Sequence, residues 1–274
     1  MQQFQGQLAL LGIGNMAGAM LARWLATGAV LPGQVRGVER LPERAAELSQ
    51  TLGIACGTDA VPAVDGAQTV LLACKPQQVA ELLSALRPRL TADQLAGQTW
   101  VSILAGVSLQ QLQTLLPGPT WVRWMPNTPV RLGAGVVGEV ADEADTAPLQ
   151  PLREALGLTV DLQESQMDAF TAVSGCGPAY LFALAESLAT AALAQGFAPD
   201  VAQALARQTV AGAAQLLASS PLSAAQLRKE VTSKGGMTEA ALERLNRDGW
   251  PLAMTTAVQA AVDRAEALRA GATA

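Results

Sequence analysis

The chain has 274 residues, enough for one large or two modest domains with full cores. Half of them are apolar, 15% are charged and the formal net charge is −5, which describes a globular protein and argues against nucleic acid or an anionic membrane as the main partner. Histidine is absent, and the three cysteines (Cys56, Cys74, Cys176) are scattered and odd in number, so no metal site and no disulfide framework is expected, and a reduced, cytoplasmic setting is.

The first charge is Arg23, so the start has no basic region of the kind a signal peptide carries. The uncharged run Gln208 to Leu227 is interrupted by Pro221 and diluted by alanine, serine and glutamine; no membrane span is expected. In chain order, "QLALLGIG" reads as a buried strand and "NMAGAMLARWLATG" as a helix ending near Gly28. "QVRGVER" is a second strand, and "PERAAELSQTLG" a helix with Pro42 at its start and Gly53 past its end. "QTVLLACKP" and "QTWVSILAG" are further strands, each followed by a helical pattern. "TWVRWMPNTP", "GAGVVGEV", a helix and "LTVDL" complete the alternation. Such alternation implies right-handed crossovers and a largely parallel sheet. From about Ser165 only helical patterns remain, rich in alanine, which favours helix and lets helices approach closely. The expected architecture is an α/β Rossmann-type domain over residues 1–164 and an all-α domain over 165–274.

Gly12-Ile-Gly14-Asn15-Met16-Ala17 follows the first strand and opens the first helix, which is the context a dinucleotide fingerprint requires. Gly12 permits the tight turn, Gly14 lets a pyrophosphate approach the backbone, and Ala17 keeps the helix close to the sheet. The phosphates then meet free N–H groups at the positive helix end. The second strand ends on Glu39 and Arg40. An acid here takes the adenosine ribose diol, while Arg40, or Arg44 four residues on, would suit a 2′-phosphate; both cations equally fit a solvated helix start. The cofactor is therefore NADPH or NADH.

Two later strand ends carry polar groups where an open α/β sheet binds its ligand: Cys74-Lys75-Pro76-Gln77, and Met125-Pro-Asn127-Thr-Pro129. Lys75, Pro76 and Asn127 are candidate cofactor contacts; a solvated lysine and a rigid turn are the structural alternatives. Further on, "VTSKGGMTEAAL" (Val231 to Leu242) joins hydroxyls and two glycines to the start of a helix. Its N–H groups from Ser233 through Thr238 are expected to point outward and suit an anion, although the same residues also fit a plain helix cap.

"GIGNMAGAM", "ACKPQ", "MPNTP", "SGCGPAY" (Ser174 to Tyr180) and "VTSKGGMT" occur in this order over nearly the whole chain, which thereby resembles pyrroline-5-carboxylate reductase. Cys176, Lys234 and Met237 stand where that family commonly has serine, proline and threonine; Ser233, Gly235, Gly236 and Thr238 are retained. The resemblance implies a C-terminal helical domain that intertwines with its twin in a homo-oligomer, and reduction of 1-pyrroline-5-carboxylate to L-proline with NADPH or NADH. It places the small-molecule substrate on Ser233, Gly235, Gly236 and Thr238, with the Thr238 hydroxyl near the ring nitrogen as the catalytic group. A cyclic imine is basic enough to arrive protonated, so hydride transfer to it needs no histidine. Two other readings share the residues: a related imine or β-hydroxy-acid reductase, and a dinucleotide-binding protein without catalysis.

Overall fold

The computed structural model of the chain describes residues 2–142 and 144–272, with backbone alone over 268–272. Eight strands form one sheet: β1 (Leu8–Leu11), β2 (Val35–Val38), β3 (Ala55–Gly57), β4 (Thr69–Leu72), β5 (Thr99–Ser102), β6 (Thr120–Pro126), β7 (Gly135–Val140) and β8 (Gly157–Asp161). Their order is β3-β2-β1-β4-β5-β6-β7-β8. Seven of these strands match the sequence expectation. β3 does not, because Ala-Cys-Gly is three residues long, sits at the sheet edge and is largely exposed, so it leaves no apolar run to read.

The connecting helices are α1 (Asn15–Thr27), α2 (Pro42–Leu52), α3 (Ala60–Val64), α4 (Val79–Leu86), α5 (Ala92–Ala96), α6 (Leu109–Leu115) and α7 (Gln150–Leu156). The sheet is parallel except between β6 and β7. Residues 127–134 join those two strands, and they are fewer than the dozen or so that a parallel crossover needs. β7 and β8 are parallel again because α7 intervenes.

Side chains alternate across each strand and so build two cores. On one face Leu8, Leu10, Leu71, Val101 and Val122 pack with Met20, Leu21 and Trp24 of α1 and with Leu152 and Leu156 of α7. On the other face Ala9, Leu11, Val70, Leu72 and Trp100 pack with Val64, Leu83 and Leu112. Burial on both faces explains why β1 and β4 read as unbroken apolar runs. The large aromatics inside have partners for their polar atoms. Trp24 donates to the Leu152 carbonyl at 2.8 Å, and Trp124 donates to Glu139, itself 3% exposed and paired with Arg153.

After α8 (Met167–Phe170) and a π-helical turn (Thr171–Gly175) come α9 (Gly177–Ala194), α10 (Pro199–Ser219), α11 (Ala224–Glu230), α12 (Met237–Arg247) and α13 (Trp250–Ala272). The chain divides into two compact units: residues up to Gly175 together with those from Arg264 onward, and Cys176–Asp263. In the second unit α9 packs on α10 through small residues, with Ala189, Ala202 and Ala206 buried. Many large apolar side chains here stay exposed within the chain, among them Phe182, Leu205, Leu216 and Leu252. The stretch Glu164–Ala194 is long and apolar enough to cross a membrane by length and composition, whereas none was expected from the sequence. Asp168 and Glu186 interrupt this stretch, so no long uncharged run marks it in the sequence.

Candidate active site

β1 ends at Leu11 and α1 begins at Asn15, so Gly12 and Gly14 form the turn between them. Gly12 has φ +93°, and a Cβ there would lie 3.0 Å from the Ala73 carbonyl oxygen at the end of β4. Both the dihedral and the close approach require glycine. Gly14 differs. Its φ is −72°, it precedes α1 without any side-chain cap, and a Cβ built on it would meet nothing within 4 Å. The first turn of α1 contains no acidic residue, so the helix end keeps its positive potential. Asn15 and Met16 open that turn, while Ala17 is 1% exposed and packs in the core. An uncapped helix end with open space in front of it fits a bound anion.

A cleft of about 710 Å³ opens at the carboxyl ends of the strands, lined by Gly12, Glu39, Arg40, Asp59, Lys75 and Arg89. Leu82, Ala85 and Leu86 on the α4 side give it an apolar wall. β1 lies between β2 and β4, and the connections leave it in opposite directions, which is where doubly wound sheets bind ligands. Glu39 accepts a hydrogen bond from the Ile13 N–H and so braces the glycine turn. Its other carboxylate oxygen has no hydrogen-bond partner among the described residues. Gly37 on β2 makes room for the same turn, since a Cβ there would fall 2.6 Å from Ile13 Cδ1.

The cations separate clearly. Arg40 is exposed and lines the cleft. Arg44 does not line it and pairs with Glu47 at 2.6 Å. Lys75 is exposed in the lining, and Pro76 starts the short 3-10 turn beside it without entering the lining itself. Arg89 is a lining residue that local sequence reasoning missed. It grips Asp59 with two bonds of 3.1 and 2.9 Å, and this contact, with the Val61 N–H, holds the Asp59 carboxyl below its usual range. No local pattern marks Arg89, because it reaches the cleft only through the crossover after β4. Asp59 had a fainter signal, as an acid capping α3. Burial pushes the Cys74 thiol up to about 11, so it stays a neutral packing group at neutral pH.

Asn127 is placed differently from a free ligand group. Its amide donates to the Ser174 carbonyl at 3.1 Å, and its oxygen accepts from the Val136 N–H at 2.9 Å. It is 7% exposed and clamps the end of β6 to β7 and to the π-helical turn. Replacing Asn127 by alanine takes this partner from the part-buried Ser174 carbonyl and Val136 N–H and is expected to lower unfolding free energy by about 1–3 kcal/mol. Urea denaturation followed by circular dichroism measures it; a loss below about 0.5 kcal/mol would show the clamp to be dispensable.

In the second unit the loop between α11 and α12 is tightly organised. Gly235 has φ +74°, and Gly236 caps α12. The expectation that every N–H from Ser233 to Thr238 points outward needs correction at two positions. The Gly235 N–H donates to Glu239 Oε2 at 2.6 Å, and the Gly236 N–H donates to the Ser233 carbonyl at 3.0 Å. The reason is local: the acid in the third helical position reaches back to the helix start, and the two glycines allow a closed turn. Thr238 is exposed, and its hydroxyl bonds to no other described residue. Tyr180, at the start of α9, has its phenol pushed up by partial burial and by Cys176.

Residues 164–268 match the family model described as pyrroline-5-carboxylate reductase dimerisation, and residues 7–106 match the model described as NADP oxidoreductase coenzyme F420-dependent. The chain is 37% identical to the pyrroline-5-carboxylate reductase of Mycobacterium tuberculosis, covering 96% of this chain and 97% of that one. It is 36% identical to the Synechocystis enzyme of the same name over 96% of this chain and 98% of that one. The chain belongs to the pyrroline-5-carboxylate reductase family. A solved pyrroline-5-carboxylate reductase structure from Coxiella burnetii superposes with a TM-score of 0.88 at 31% identity, covering 96% of this chain and 98% of that one. Family membership accounts for both halves of the architecture, the Rossmann-type sheet and the helical region that follows it.

Proposed function

We propose that this protein reduces 1-pyrroline-5-carboxylate to L-proline, the last step of proline biosynthesis, with NADPH or NADH as reductant. The observation that carries the reading is a family likeness over almost the full chain, combined with an intact Ser233–Thr238 loop. The reduced nicotinamide, when bound, supplies the hydride. Gly12, Gly14, Asn15, Met16 and Ala17 form the turn that receives the pyrophosphate, Glu39 holds the ribose, and Arg40 and Lys75 supply positive charge at the cleft. Pro76 shapes the Lys75 turn, and Asn127 acts by fixing the loop after β6.

Ser233, Gly235 and Gly236 hold the substrate carboxylate at the mouth of α12, where the helix dipole favours an anion. Thr238 orients the ring nitrogen through its free hydroxyl. The iminium is already electrophilic, so the protein's contribution is orientation, for which effective molarities are worth roughly 7–11 kcal/mol. Cofactor binding is assigned to residues 1–164, and substrate binding and dimerisation to 165–274. The exposed apolar side chains of α9 and α10 are read as the surface that a second copy covers, which makes the active species a homo-oligomer. The three free cysteines support a cytoplasmic reading, and the acidic net charge of −5 supports the expectation that neither nucleic acid nor an anionic membrane is the partner.

A spectrophotometric assay of the purified protein, following loss of the reduced cofactor, tests the reaction. Turnover is expected with pyrroline-5-carboxylate, and weaker turnover with the six-membered imine; a β-hydroxy acid, supplied with the oxidised cofactor and followed by formation of the reduced one, is expected to give none, and the reverse order would reassign the substrate. Arg40→Ala is expected to raise KM for NADPH about tenfold and KM for NADH little, since one charge-assisted contact to a 2′-phosphate is removed. Equal effects on both cofactors would remove Arg40 from phosphate recognition.

A further inference from the structure

We propose that Glu239 is a built-in competitor for the substrate's carboxylate and thereby sets the affinity of the Ser233–Thr238 loop. This rests on the substrate assignment made above for that loop. The Glu239 carboxylate already holds the Gly235 N–H at 2.6 Å. Gly235 at φ +74° and Gly236 at the cap of α12 bring that N–H to the helix mouth. The loop therefore binds a carboxylate in this structure, and the carboxylate is its own. An incoming substrate acid meets both an occupied amide and a like charge. To use the amide it must displace Glu239 towards solvent, and apparent affinity falls by the fraction of molecules in which the amide is free. The bond is at the surface: Glu239 is only partly buried and Gly235 exposed, so the displaced side chain can be solvated. Thr238, beside it, stays available, so the competition acts on binding and leaves the chemical step alone.

The test compares Glu239→Gln with Glu243→Gln in the full-length protein. The glutamine side chain in the first variant keeps only a neutral oxygen acceptor for the Gly235 N–H, so the start of α12 survives, while the weaker bond leaves the amide free more often and the like charge is gone. Glu243 lies one turn further along α12, and its replacement removes an equal charge without touching the Gly235 bond. E239Q is expected to lower KM for pyrroline-5-carboxylate about 5–10-fold with kcat unchanged. The calorimetric Kd for L-proline should fall in parallel, and E243Q should change neither. An unchanged or raised KM and Kd in E239Q overturns the proposal and leaves Glu239 as a helix cap; so does an E243Q effect of equal size, which reduces the effect to general charge. Ser233→Ala separates the two levels. If it weakens proline binding while E239Q does not tighten it, the competitor role alone fails. If it weakens nothing, the loop is not the carboxylate site and both readings fail.

Discussion

Replacing Gly14 by alanine is expected to leave the melting temperature within about a degree of the parent and to raise KM for the nicotinamide cofactor at least about tenfold. The position has an ordinary negative φ, and a Cβ there meets nothing within 4 Å, so the fold has no reason to object. The methyl group would instead stand in the space in front of α1, between the free helix N–H groups and the pyrophosphate. Gly12→Ala is the contrasting variant. Its φ of +93° and the 3.0 Å approach to the Ala73 carbonyl make alanine strained and overpacked, at about 1–3 kcal/mol in stability before any ligand is added. Thermal melts with and without NADP, combined with cofactor titrations, separate the two effects. A Gly14→Ala protein with unchanged cofactor KM would show that the turn does not carry the pyrophosphate.

The second large effect is expected at Thr238. Alanine there should reduce kcat about 10–100-fold, the size expected for one hydrogen bond to a charged group that forms at the reacting centre. The fold should be untouched, because the side chain is exposed and bonds to no described neighbour. Cofactor affinity should also be untouched, because the nucleotide cleft lies wholly in the other compact unit. Steady-state kinetics with saturating NADPH and varied pyrroline-5-carboxylate read the result. Serine at the same position keeps the hydroxyl and should restore most of the activity; equal losses in T238S and T238A would assign the loss to the methyl group and to shape.

Local chemistry explains why much of this was visible in advance. Gly12 and Gly14 are legible because a tight strand-to-helix turn favours glycine at fixed positions between a strand and a helix. Strands β1 and β4 are legible because burial on both faces produces an unbroken apolar run. Ser233, Gly235, Gly236 and Thr238 are legible as a loop of hydroxyls and glycines ahead of a helix. In each case neighbours in sequence are neighbours in space, so composition and spacing carry the physical requirement directly.

Other features depended on what the chain folds against. β3 exists because the edge of β2 offers free hydrogen-bonding groups to three residues with no strand signature of their own. The antiparallel turn between β6 and β7 follows from a connection too short to cross the sheet. Asn127 looked like a ligand group, and the fold made it a clamp by bringing Val136 and Ser174 to its amide. Arg89 and Asp59 meet at the cleft across 30 positions of sequence, and Glu239 closes on an N–H that the sequence alone leaves open. The sequence by itself determined the residue types at the two glycine turns, because those needs are local and steric. Only the tertiary structure decided which polar groups remain free to meet a ligand, because a hydrogen-bonding group is consumed by whatever partner the rest of the chain places within about 3 Å of it.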